Sequence, residues 1–137
     1  MTDRPLLIVD GANVVGSVPD GWWRDRRGAA ERLRDALAPV GAGGLPAAGG
    51  APPWAVGTPL EVVLVVEGAA RGVASVPGVR VESASGSGDD LITALAVKCR
   101  TDTPDRHCLV VTADRELRRR VEAVGAVCIG PHSVPRR

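Results

Sequence analysis

Leu6, Leu7, Ile8 and Val9 form an unbroken apolar run that stops on a charge, Asp10, with Gly11 and Asn13 close behind. A short run without polar alternation suits a parallel strand covered on both faces. A carboxylate at the carboxyl end of such a strand stands where open α/β sheets place their active sites. Taken alone, Asp10–Gly11 fits an ordinary turn equally well. The same event recurs along the chain, and that recurrence constrains the fold.

Residues 60–66 read as a second strand, rich in β-branched side chains and ending on Glu67. Residues 79–81 are a brief third strand. Residues 108–112 are a fourth, running into Ala113–Asp114, and residues 126–129 a fifth. Between them lie helical patterns. Ala29, Ala30, Leu33, Ala36, Leu37 and Val40 recur at helical spacing, with Gly41 as a stop. Leu91, Ile92, Leu95, Ala96 and Cys99 share one face of a helix opened by Asp89 and Asp90. Leu117, Val121 and Val124 share one face of a helix opened by Asp114, with Arg118, Arg119 and Arg120 mostly outward. A short helical turn is expected near residues 69–74. Strands alternating with helices predict an α/β domain with a mostly parallel five-stranded sheet, all its carboxyl ends along one edge.

One domain is expected, spanning residues 1–130 of the 137. Residues 41–59 are Gly, Ala and Pro with no charge and read as a flexible insertion. Residues 131–137 read as a loose basic tail. The chain has no Phe or Tyr, so Val, Leu, Ile and Ala must fill the core. Net charge is +1, which gives no global pull towards nucleic acid. Lys98 is the only lysine, and the arginine bias reads mostly as genomic. Cys99, Cys108 and Cys128 show no C-x-x-C spacing, and with only His107 and His132 beside them a zinc site is not expected. Reduced, mostly buried thiols point to a cytoplasmic protein. The apolar runs are strand-length, so no membrane span is expected.

Asp10 follows the first strand, Glu67 the second and Asp114 the fourth, while Asp89 and Asp90 open a helix whose amino end faces the same edge. Each has a plain structural role available as a turn residue, a helix cap or a complement to a helix dipole. Together they converge on one crevice. Clustered carboxylates repel: two at about 4 Å cost roughly 4 kcal/mol at an effective dielectric of 20. A hard divalent cation relieves that cost, and oxygen-only donors favour Mg2+ or Mn2+ over zinc. Such an ion activates water and stabilises charge on a phosphodiester. Asn13 is a neutral group suited to orienting an acid, a water or a phosphate. Helix phase separates the aspartate pair, with Asp89 nearer the apolar face and Asp90 directed away from it.

Trp22 and Trp23 beside Arg24, Arg26 and Arg27 suit base stacking and phosphate contacts at the rim, although one Trp is equally suited to the core. Arg71, Thr112 and Arg115, near the ends of the same strands, complete the candidate nucleic-acid contacts.

The order VDGAN, VVLVVEG, GDDLITALA and VVTAD resembles the PIN-like nucleases, and within them the bacterial NYN branch of YacP-type endoribonucleases. The resemblance covers residues 6 to about 125 except the 41–59 segment. It implies a PIN-like three-layer α/β/α sandwich, dependence on a divalent metal and RNA cleavage. Matched by position, it implies Asp10, Asn13, Asp89 and Asp114 as the acidic core, with Glu67 where relatives tend to carry Asp. Relatives often have an aromatic where Ala12 stands, and an acid in the loop before Asp89 that is Ser and Gly here.

The expectation is therefore a metal-dependent ribonuclease in which Asp10, Asp89 and Asp114 hold the ion, Glu67 and Asp90 support it and Asn13 orients. RNA is the expected partner, ribosome-associated RNA or tRNA among the candidates, and a homodimer is one candidate state. Two rivals keep the fold: a non-catalytic RNA- or ribosome-binding module, and a metal-dependent nucleotide pyrophosphohydrolase.

Overall fold

A computed structural model describes residues 4–135. Its elements run β1 (Leu6–Asp10), α1 (Gly11–Val15), α2 (Arg26–Gly43), β2 (Glu61–Val66), β3 (Val79–Ser83), α3 (Gly88–Asp102), β4 (Cys108–Val111), α4 (Arg115–Glu122) and β5 (Val127–Ile129). The strands form one sheet in the order β3-β2-β1-β4-β5, and every neighbouring pair is parallel.

The unbroken apolar strands are explained by two cores. Successive side chains of a strand point to opposite faces. Leu7, Val9, Val62, Leu64, Leu109 and Val111 enter one core, and Leu6, Ile8, Val63, Val65, Cys108 and Val110 the other. Helix α2 covers the first face with Ala30, Leu33, Leu37 and Val40. Helices α3 and α4 cover the second with Ile92, Ala96, Cys99, Leu117 and Val121. This is a three-layer α/β/α sandwich. Burial of a large side chain such as Leu37, Leu64 or Ile92 contributes about 2 kcal/mol. Cys99 and Cys108 are buried and Cys128 half-buried, all three as free thiols. Burial pushes Cys108 up to about 12 and Cys128 to about 11, which leaves both unreactive.

The 41–59 segment departs from its expected looseness. Leu45 and Ala55 are buried in the first core, and the neighbouring Leu60 joins them. Leu45 pairs with Val56 through an isolated parallel bridge, and Trp54 stacks on His107 with ring centroids 4.2 Å apart. The segment thus adds Leu45 and Ala55 to the first core and packs Ala51 and Trp54 against it. Leu45→Ala should accordingly cost about 2–5 kcal/mol, as for other buried leucines, read as a lower urea midpoint.

The tail departs in the same way over its described residues. Pro131, Ser133 and Val134 are buried, and Val134 belongs to the first core. Ser133 lies against Gly49, where a Cβ would come within 2.8 Å of the Ser133 Cα. Residues 136–137 of that tail lie outside the described residues. Helix α2 also runs past Gly41, which is buried inside it because a Cβ there would meet the Gly78 carbonyl oxygen at 2.8 Å. The stop is Gly44, at φ 75. Among the described residues, no helix is long and apolar enough to cross a membrane.

Candidate active site

In the strand order, β1 and β4 are neighbours, and their following helices leave to opposite faces of the sheet. That reversal opens a crevice beyond the strand ends, the usual binding place in open α/β sheets. Asp10 sits at one lip of it. Gly11 must follow, because a Cβ there would stand 2.5 Å from the Val65 carbonyl oxygen of β2.

Residues 11–15 form a short helix, and Asp10 caps it. Its Oδ1 accepts a hydrogen bond from the Asn13 backbone N–H at 3.3 Å, and its Oδ2 accepts one from the Thr112 hydroxyl at 2.8 Å. Thr112 Oγ1 accepts in turn from the Asp114 N–H at 3.1 Å. Asn13 Oδ1 accepts from the Ala113 N–H at 2.8 Å. The β1 and β4 turns are thus fastened together by two side chains. Asp114 caps α4, accepting from the Leu117 N–H at 3.0 Å. Ser87 caps α3, its hydroxyl accepting from the Asp89 N–H at 3.1 Å. Glu67, at the end of β2, accepts from the Gly88 N–H at 3.3 Å.

Asp10, Asn13, Glu67, Asp89 and Asp114 therefore line one open crevice of about 350 Å³, with Ala12 and Ser87. Asp10 is 4% exposed. Burial is the main reason its carboxyl is pushed up to about 6, against the two hydrogen bonds it accepts, with the negative charges of Asp89 and Glu67 adding to the rise. Asp89 is also raised, first by burial and then by Asp114 and Glu67, with Arg120 opposing. Asp89 and Asp114 stand at helix amino ends, whose dipoles offset part of the mutual repulsion.

Asp90 is not brought to this crevice. It is exposed, pairs with Arg120 at 3.0 Å and lines a separate hollow with residues 83–87. A step of about 100° along α3 moves it off the face that Asp89 shares with the site. Thr112 is fully buried against Asp10, so it is no nucleic-acid contact and instead positions that carboxylate. Arg27 donates to the Arg71 and Gly72 carbonyls, and Arg71 to those of Ala84 and Ser85. Both guanidinium groups are partly spent on holding loops.

Trp22 is half-buried and Trp23 is 51% exposed, their rings edge-to-face at 6.0 Å. The Arg24 guanidinium lies 5.9 Å from the Trp23 ring centroid, and Arg115 is exposed beside Asp114. Ser87 was missed by sequence reasoning, although Ser87-Gly88-Asp89-Asp90 carries the Ser-x-x-acid pattern of a helix start. The pairing of Arg120 with Asp90 had no local signal, since thirty residues separate the two.

Among the described residues, no group of three or more His, Cys, Asp or Glu side chains is placed to hold a metal ion. The donor set is oxygen-only, mutually repelling and open to water. That chemistry fits a hard cation held by one or two carboxylates with water completing its shell, the usual habit of Mg2+.

Sheet order, layering and crevice define a PIN-like α/β/α domain with acidic residues at its topological switch point. Its architecture is similar to that of Rae1 (YacP) from Bacillus subtilis: TM-score 0.66 at 19% identity, over 93% of this chain and 70% of that one. A single-substitution mutant of the same protein gives TM-score 0.65 at 19% identity, over 94% and 71%. At that identity the likeness is one of fold. No protein-family model matches the chain, and no curated protein sequence does.

Proposed function

We propose that this protein is a divalent-metal-dependent endoribonuclease. One observation supports the reading above the others: four carboxylates from four separate chain segments line a single crevice, and two of them, Asp10 and Asp89, are raised by burial and by neighbouring carboxylates. One or two of Asp10, Asp89 and Asp114 would hold Mg2+ or Mn2+, with water completing its shell and Glu67 beside them. When bound, the ion would supply an activated water and offset charge building on the phosphodiester.

The chain's own residues do the rest. Thr112 fixes the Asp10 carboxylate, so that its free lone pairs face the crevice in one orientation. Asn13 ties the turn carrying Asp114 to the turn carrying Asp10, which holds the spacing between the two acids. Trp23, Arg24 and Arg115 are exposed aromatic and cationic groups suited to bases and phosphates of a single strand. The resemblance of VDGAN, GDDLITALA and VVTAD to the YacP-type endoribonucleases supports RNA as the substrate.

The test is a panel of structured and single-stranded RNAs incubated with manganese, with magnesium or with excess chelator. Defined fragments should appear only with metal. Binding that survives chelation without any cleavage would instead favour a non-catalytic RNA-binding module. Hydrolysis of mononucleotides in preference to RNA would favour the pyrophosphohydrolase.

A further inference from the structure

Beside the acidic crevice lies a second, smaller hollow of about 180 Å³ with a different chemistry. Its walls are largely apolar: Val15, Ala30, Val66 and Ala70, closed on one side by the Trp22 indole and the Arg26 guanidinium. Arg26 stands 5.3 Å from the Trp22 ring centroid, and Trp23 packs edge-on against the same ring. The indole is therefore held in place before any ligand arrives. Ala12 and Glu67 line both hollows, so the two adjoin.

We propose that this slot binds one nucleobase of the substrate, next to the phosphate that faces the acids. The inference rests on the ribonuclease reading for the identity of its ligand. Three features select a base. Ligand pockets for whole small molecules run to about 300–1,000 Å³, so the slot takes one planar ring system and not a complete nucleotide. An aromatic wall offers stacking to any base, and an arginine at the wall adds a cationic face and hydrogen-bond donors for ring acceptors. Ala12 is small and exposed, which leaves the passage between slot and crevice open. A nucleotide is the ligand class with an aromatic ring at one end and a phosphate at the other, matching the two hollows in order.

Calorimetric titration in magnesium tests the proposal by comparing adenosine 5′-monophosphate with ribose 5-phosphate, which keeps the phosphate and lacks the base. The nucleotide should bind tighter by roughly five- to a hundredfold, the range for one base stacked on an aromatic side chain. Trp22→Ala should shrink that ratio to within about threefold. Because Trp22 is half-buried and its loss could disturb the fold, Ala12→Leu provides a second variant that narrows the slot from an exposed position. Equal binding of the two ligands by the unaltered protein, or a ratio unchanged in both variants, overturns the slot. Cleavage of RNA without a base-dependent ratio keeps the nuclease and removes the slot. A ratio abolished by both variants, without RNA cleavage, keeps the slot and removes the nuclease.

Discussion

Asp89→Asn should lower RNA cleavage by a hundredfold or more, while the neighbouring Asp90→Asn should change it by no more than about threefold, the former within the span of losses seen for groups acting directly in the reaction. The two residues share a charge, a helix and a first turn, so composition cannot separate them. Position does. Asp89 lines the crevice with Asp10, Glu67 and Asp114, whereas Asp90 faces solvent and pairs with Arg120. Asn keeps the shape of Asp and removes its charge, and Asp89 uses its backbone N–H, not its carboxylate, to meet the Ser87 cap. Fold should therefore survive both changes. Initial rates at saturating manganese, with melting curves as a control, decide the matter. Equal losses in the two variants would mean that the crevice described is not where the reaction occurs.

Asp10→Asn should make the metal-free protein more stable at pH 7.5, by about 1–2 kcal/mol, and should leave it no more stable near pH 4. The sign follows from burial. The Asp10 carboxyl is raised from 3.8 to about 6 in the fold, so the folded protein holds that proton more tightly than the unfolded chain. The resulting stability is complete below the unfolded value near 4 and is lost as pH rises through 6. A rise from near 4 to near 6 corresponds to roughly 3 kcal/mol, of which the amide recovers only a part, because its single oxygen keeps the bond from Thr112 and loses the one from the Asn13 N–H. The same substitution should remove most of the stabilisation that manganese confers, because a ligand stabilises only as far as it binds the folded state. Urea midpoints for both proteins at the two pH values, with chelator and with manganese, supply the comparison. A mutant less stable at pH 7.5, with an undiminished manganese effect, would reduce Asp10 to the cap of α1.

Much of the architecture was legible because strands buried on both faces must be apolar at every position, and 6–9, 62–66 and 108–111 are. The acids were legible for the complementary reason: a charge that ends such a run breaks its pattern. Two segments were misread on the same physical ground. Residues 41–59 and 131–134 carry no hydrophobic period, so nothing local distinguishes a loose segment from one that lends single residues to a core. Leu45, Ala55 and Val134 are such residues, buried because other elements leave a gap of their size.

By itself the sequence determined which residues sit in strands, which helix faces turn inward and which acids end on one edge, since each of these follows from spacing along the chain. Only the tertiary structure decided that β1 lies beside β4, because sheet order depends on crossovers that no local pattern encodes. From that adjacency come the bond between Thr112 and Asp10, 102 residues apart, and the clasp of Asn13 on Ala113. The same packing raises the Asp10 carboxyl, for burial is a property of the assembled fold and not of the residue.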